Sequence, residues 1–364
     1  MKVLLVAPRI CTPWTEGRKK FFLDLLKQVA DRWQLSGLIT IDAGEKSAVP
    51  DNFKVIEVFN NKDHIFCLKN ELQQAIEIHK PALVCHFPFG IFAGLRGLAN
   101  LWLIHSIAKI CKKNKVPCCT LMYSLTAEAS GFFYRRALKD TYFNQYTAAT
   151  QSIRFGVKLL EFPLASVHPG KPKTLLFMSG EAGESMASLD YVLDVRGLRL
   201  LLQGGKDLSA KGYCLIVAAP LLKNYALLET LKNLRDNTWP RQNISFHQEV
   251  KFPDIYLNAC IFVFPYAQEE MQFVPTSIVE AMHFGIPVIL PRLEFLRQFY
   301  TQETKAIVYE KGSLSSLIDQ IINTENDQVA MNNRRVLARD FIDQEYDIAN
   351  TVTDIEAAYK DLLV

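Results

Sequence analysis

The sequence predicts an α/β protein of two successive doubly wound domains, each a parallel sheet covered by helices on both faces. Three features predict it. Short apolar or β-branched runs alternate with helical patterns along the chain, as parallel sheets with helical crossovers require. The length of 364 residues exceeds one ordinary core and suits two domains of roughly 150 to 200 residues each. The alternation is interrupted by the Pro- and Gly-containing stretch EFPLASVHPGKPK at 161–173 and then restarts, which marks a linker.

The elements can be justified in order. KVLLVAP is a first strand, because Pro8 and Arg9 end its apolar run too early for a signal peptide. GRKKFFLDLLKQVADRW has helical spacing, QLSGLITI and FKVIEVF read as strands, HIFCLKNELQQAIEIH as a helix, and PALVCHF as a strand. The apolar stretch 91–110 contains Arg96, His105 and Lys109, which a bilayer-spanning helix tolerates poorly, so it is a globular helix. VPCCTLMY and YTAATQSI add strands. After the linker, TLLFMSG is a strand, VRGLRLLLQGGKDLSAK a helix, GYCLIVAA a strand and LLKNYALLETLKNLRD a helix. ISFHQEV, IFVFPYA, PVILP and AIVYE follow as strands, and the last 33 residues are helical. The expected organisation is an N-terminal Rossmann-like domain over 1–165 for the acceptor, a C-terminal one over 166–345, and a helix over 346–364 packed across or back onto the first domain.

Composition narrows the function. A chain 49% hydrophobic and 22% charged is a folded globular protein, and a net charge of +3 gives no case for nucleic acid. The eight cysteines mostly sit in apolar runs without CxxC spacing, as reduced thiols of a cytoplasmic protein do. The run SGFFYRRALKDTYFNQY at 130–146 joins aromatics to Arg135, Arg136 and Lys139; it reads either as a packed helix or as a face for peripheral membrane contact with a lipid-linked acceptor. No Ser-His-Asp order, HExxH or Walker A pattern is present, and no GxGxxG follows the first strand. Hydrolase, zinc-protease, P-loop and nicotinamide chemistries therefore lack their residues.

In doubly wound sheets ligands bind beyond the carboxyl ends of the strands, and two facing domains would create a cleft there. One segment, QFVPTSIVEAMHFGIPVIL at 272–290, carries two readings. If a helix starts near Ser277, the amides of Thr276, Ser277 and Ile278 and the positive end of the dipole suit a diphosphate. Glu280, one turn in, can then accept hydrogen bonds from both hydroxyls of a ribose. Alternatively Ser277 and Glu280 form an S-x-x-E capping box that only stabilises the helix start. Arg196 is the best-placed cation for phosphate, or a solvated charge at a helix start. His86, ending PALVCHF, points into the expected cleft or is a core histidine. Tyr123 and Ser124 are candidates for acceptor contacts.

The ordered features IYLNAC, VFPY, an acidic loop, EAM and GIPVI make residues 174–345 resemble the donor half of glycosyltransferase family 4, whose enzymes have the two-domain GT-B fold. The resemblance implies that Glu280 grips the nucleotide ribose. It further implies that Gly180 and Val250 line the nucleotide site and that Gly17 stands, in reduced form, for the glycine-rich loop near the donor phosphates. Family members carry a first Glu eight residues before the second, contacting the donor sugar; here that position is Gln272, with Glu269 and Glu270 nearby. Where the family places an Arg after the first strand of this domain, this chain has Glu181. Arg196, Gln272 and His86 are thus the candidate catalytic residues. The resemblance implies a glycan-building transferase moving a sugar from a nucleotide-sugar donor to a carbohydrate, lipid-linked or small-molecule acceptor, with retention and without a metal or other cofactor. A GT-B binding or scaffold protein that has lost activity is the alternative, and a nucleotide-sugar epimerase a more distant one.

Overall fold

The computed structural model describes residues 2–7, 17–29, 32–41, 58–61, 65–87, 94–120, 173–180, 186–219, 224–248, 254–268, 275–301, 306–326 and 328–363. The chain divides into two compact units, the first completed by the segment Ile348–Val364 and the second ending at Asp347.

The first unit is built on five parallel strands, β1 (Lys2–Ala7), β2 (Gln34–Ile41), β3 (Val58–Asn61), β4 (Leu83–His86) and β5 (Cys118–Thr120), in the order β3-β2-β1-β4-β5. Helices α1 (Gly17–Val29), α2 (Ile65–His79) and α3 (Gly94–Lys113) make the crossovers. The continuous apolar run of β1 is explained by burial on both faces. Leu4 and Val6 pack with Leu72, Ile76, Leu103 and Ile107 of α2 and α3. Val3, Leu5 and Ala7 point the other way, onto Phe22, Leu25 and Val29 of α1 and onto Ile348, Val352 and Ile355 near the C-terminus.

The second unit holds β6 (Lys173–Met178), β7 (Tyr213–Ala218), β8 (Ile244–His247), β9 (Ile261–Val263), β10 (Val288–Pro291) and β11 (Ile307–Tyr309), in the order β11-β10-β9-β6-β7-β8. All described pairings in both sheets are parallel. Strands added first on one side of β6 and then on the other make the β6/β9 boundary a topological switch point, where the crossovers diverge and leave a crevice.

The crossover after β6 differs from the single helix expected over VRGLRLLLQGGKDLSAK. It consists of α4 (Met186–Asp190), a π-helical turn at Tyr191–Val195, α5 (Leu198–Gln203) and α6 (Gly205–Ala210). Further on come α7 (Tyr225–Asp236), α8 (Asp254–Leu257) and α9 (Thr276–His283), then α10 (Leu314–Asn326), α11 (Gln328–Glu345) and α12 (Ile348–Leu363). Helix α7 is capped by Asn224, whose side chain accepts from the amides of Ala226 and Leu227. Helix α9 is fixed at its far end by α11: Arg335 Nε donates to the Gly285 carbonyl and the His283 ring meets Asp343. A guanidinium there suits the negative end of the helix dipole. Among the described residues no helix is long and apolar enough to cross a membrane.

Candidate functional site

The carboxyl end of β6 turns sharply. Ser179 still pairs with the sheet, its amide donating to the Ala218 carbonyl at 3.0 Å, and Gly180 then takes φ +68°. That left-handed conformation costs glycine nothing and other residues about 1–2 kcal/mol. A β-carbon built on Gly180 would lie 3.6 Å from a terminal nitrogen of Arg196, so the guanidinium passes directly over the turn.

Arg196 is held there by its own backbone. Its amide closes the π-helical turn on the Tyr191 carbonyl at 2.9 Å, and Gly197 follows at φ +82°. A β-carbon on Gly197 would sit 1.8 Å from the carbonyl oxygen of Pro265, so no other residue lets the two segments approach this closely. Ala267 secures the same junction, its amide donating to Val195 at 2.9 Å. The residues following β6 and β9 are thereby locked together across the switch point. π-Turns inside helices often mark functional positions, and this one aims a cation.

Two aromatic rings flank that cation. The guanidinium carbon is 5.4 Å from the Tyr191 ring centroid and 5.6 Å from that of Tyr266, within cation–π range. Tyr266 is itself stacked on Phe264 and meets Phe295 edge-on. Burial, followed by the nearby Tyr191 hydroxyl, pushes the Tyr266 phenol well up, so that ring stays neutral. The Nε of Arg196 is buried and makes no hydrogen bond. An unmet buried donor costs about 1–3 kcal/mol, which a fold retains readily where a ligand supplies the acceptor. Arg196 ends the π-helical turn and directly precedes Gly197, the N-cap of α5, and its half-buried charge lies beside two aromatic rings.

Helix α9 follows β9, so its N-terminus rises from the carboxyl end of the sheet. The capping-box reading also needs correction. The N-cap is Pro275, no side chain caps the helix, and Ile278 already bonds back to the Pro275 carbonyl at 3.0 Å. Thr276 and Ser277 occupy the first turn, and Pro275 carries no N–H that Glu280, a further turn along, could accept from. Its carboxylate is instead buried, 6% exposed, and accepts a hydrogen bond from the Tyr256 hydroxyl at 2.8 Å.

In the first unit, His86 ends β4 beside Val6 and Thr120. It is wholly buried, and burial takes its pKa down to about 3, so the ring is neutral at physiological pH. Nδ1 lies 3.4 Å from the Thr120 hydroxyl, while Nε2 is buried without a partner. This histidine lies beside the first sheet's own switch point, between β1 and β4. Gly17 opens α1. Gln272, Val250, Glu181, Glu269, Glu270, Tyr123, Ser124 and the run 130–146 lie outside the described residues, as does YTAATQSI. Sequence reasoning missed Tyr191, Tyr256 and Tyr266. The last two stand inside the strings IYLNAC and VFPY, yet their partners are distant in sequence.

Comparison with known proteins bears on the fold. The family model described as glycosyl transferases group 1 matches residues 186–327, which contain Arg196, Tyr256, Tyr266 and Glu280. Among solved structures, Anabaena Alr3699/HepE in complex with UDP aligns over 99% of this chain and 100% of its own, at 14% identity and a TM-score of 0.68. A glycosyltransferase from Rickettsia africae aligns over 99% and 98% at 12% identity and a TM-score of 0.71. The fold is GT-B. Sucrose-phosphate synthase from Thermosynechococcus elongatus shares it at 11% identity and a TM-score of 0.66, with 100% of this chain and 99% of that one aligned. No curated protein matches the sequence. The GT-B assignment fits both sheets, each an open parallel sheet with a single switch point.

Proposed function

We propose that the protein is a glycosyltransferase that moves a sugar from a nucleotide-diphosphate donor to an acceptor hydroxyl, with retention at the anomeric carbon and without a metal. The observation that carries this reading is Arg196, held over Gly180 at the β6/β9 switch point with a buried donor unmet. A planar guanidinium can grip two phosphate oxygens at once, and the uncapped start of α9 adds amide donors for the same anion. As the glycosidic bond breaks, negative charge accumulates on the departing diphosphate. Fixed donors aimed at that charge lower the barrier because they need no reorganisation. Glu280 would take the ribose hydroxyls and the first unit would hold the acceptor, whose proton passes to a donor phosphate oxygen in a retaining transfer of this kind.

HepE has been seen with UDP and with UDP-glucose, so UDP-sugars are the first donors to test. Calorimetry with UDP, GDP and ADP should show one nucleoside diphosphate binding, and its hexose conjugate should release nucleotide slowly, unaffected by EDTA. No binding of any of the three overturns the proposal. Binding without turnover on any acceptor favours the scaffold reading, which Gln272 supports because an amide brings no charge to the donor sugar.

A further inference from the structure

Glu280 does not stand alone. Tyr256, on the short helix before β9, is fully buried, and its hydroxyl reaches Glu280 Oε2 at 2.8 Å. Its ring lies parallel to that of Phe284, with centroids 5.3 Å apart and planes 9° apart. Phe284 is the C-cap residue of α9, so the helix that bears the carboxylate also stacks the ring that holds it. The pair is dry, with Tyr256 at 0% and Glu280 at 6% exposure, and a hydrogen bond to an ionised group in such surroundings is among the strong ones. Burial and the Glu280 charge keep the phenol protonated, so it can only donate to the carboxylate. A carboxylate has about four acceptor positions; the Tyr256 hydroxyl engages one of them and restricts the rotation of the group.

We propose that Tyr256 is the positioning residue that orients the Glu280 carboxylate for a ribose diol, and so sets the preference of this site for ribonucleotides over 2′-deoxyribonucleotides. This rests on the reading of Glu280 as the ribose ligand. The physical reason is entropic as well as electrostatic. A free carboxylate must give up its rotation when the diol binds, whereas one already fixed meets both hydroxyls at no such cost.

The test uses the whole chain and whichever of UDP, GDP and ADP binds, each compared with its 2′-deoxy counterpart by calorimetry. The wild-type protein should favour the ribonucleotide by about tenfold or more, the ratio expected when a diol hydroxyl leaves a charged acceptor unmet. Tyr256→Phe keeps the ring and its stack and removes only the donor. It should shrink that ratio to about twofold by weakening ribonucleotide binding selectively. A purely structural tyrosine would weaken both ligands equally. Phe284→Leu, which keeps the hydroxyl but frees the ring, should lower the ratio partway and serves as the readout if Tyr256→Phe does not fold. An undiminished ratio in a folded variant overturns the role of Tyr256 while leaving Glu280 as ligand. Absence of discrimination in the wild type, or of binding by all three nucleotides, removes the ribose reading and this inference together.

Discussion

Gly197→Ala tests whether the switch point is built as described. Two costs can be separated. At φ +82° a β-carbon strains the backbone, for about 1–2 kcal/mol. It would also stand 1.8 Å from the Pro265 carbonyl oxygen, where ordinary contact begins near 3.4 Å. The backbone around Gly197 and the residues following β9 must therefore part by well over an ångström. Overpacking of this kind costs about 1–3 kcal/mol, and the Ala267 to Val195 hydrogen bond adds about 1 kcal/mol if it breaks. The sum is about 3–6 kcal/mol, a large share of a typical domain's roughly 5–15 kcal/mol. Gly212 supplies the control, because it has φ +83° with nothing within 4 Å of a built β-carbon. Gly212→Ala should lose only the backbone strain, about 1–2 kcal/mol. Urea denaturation of both variants gives the comparison. Midpoints that shift equally would refute the close approach of Gly197 to Pro265, and with it the mechanism that aims Arg196.

Arg196→Lys keeps the charge and loses the planar fork, so affinity for the nucleoside diphosphate should fall about 10- to 100-fold in calorimetry while that for the nucleoside stays level; equal losses for both would contradict a phosphate role. His86 carries a pH signature. Its folded pKa of about 3 lies below the ordinary 6.5, so between those values the unfolded chain holds a proton that the folded one does not. Stability is thus fully present above pH 6.5 and declines as pH falls toward 3. His86→Gln should remove that decline, flattening the stability curve by up to about 1.4 kcal/mol per pH unit in this window; parallel curves for wild type and variant would contradict the burial of a neutral ring.

The strands were legible because a strand buried on both faces needs a continuous apolar run, and KVLLVA, GYCLIVA and PVILP are such runs. What escaped sequence reasoning depends on distant residues. The stretch VRGLRLLLQGGKDLSAK reads locally as one helix, but Pro265 requires the backbone reversal at Gly197. SIVE reads as a capping box, yet Pro275 takes the N-cap and Glu280 turns to Tyr256, 24 positions away. Arg196 could be singled out as a cation near a glycine, whereas the rings that hold it come from separate segments with no spacing rule to link them.

The last helix has a consequence for how the molecule is made. Ile348, Val352 and Ile355 fill the same core as β1, and Trp33 donates from its indole nitrogen to Glu356 at 2.9 Å. On a ribosome, the second unit is complete once Asp347 has emerged. The first unit, although synthesised earlier, lacks one wall of its core until Ile348, Val352 and Ile355 arrive. The order of synthesis is thus the reverse of the order of completion, and the early strands must wait in a partly covered state for residues more than 300 positions downstream.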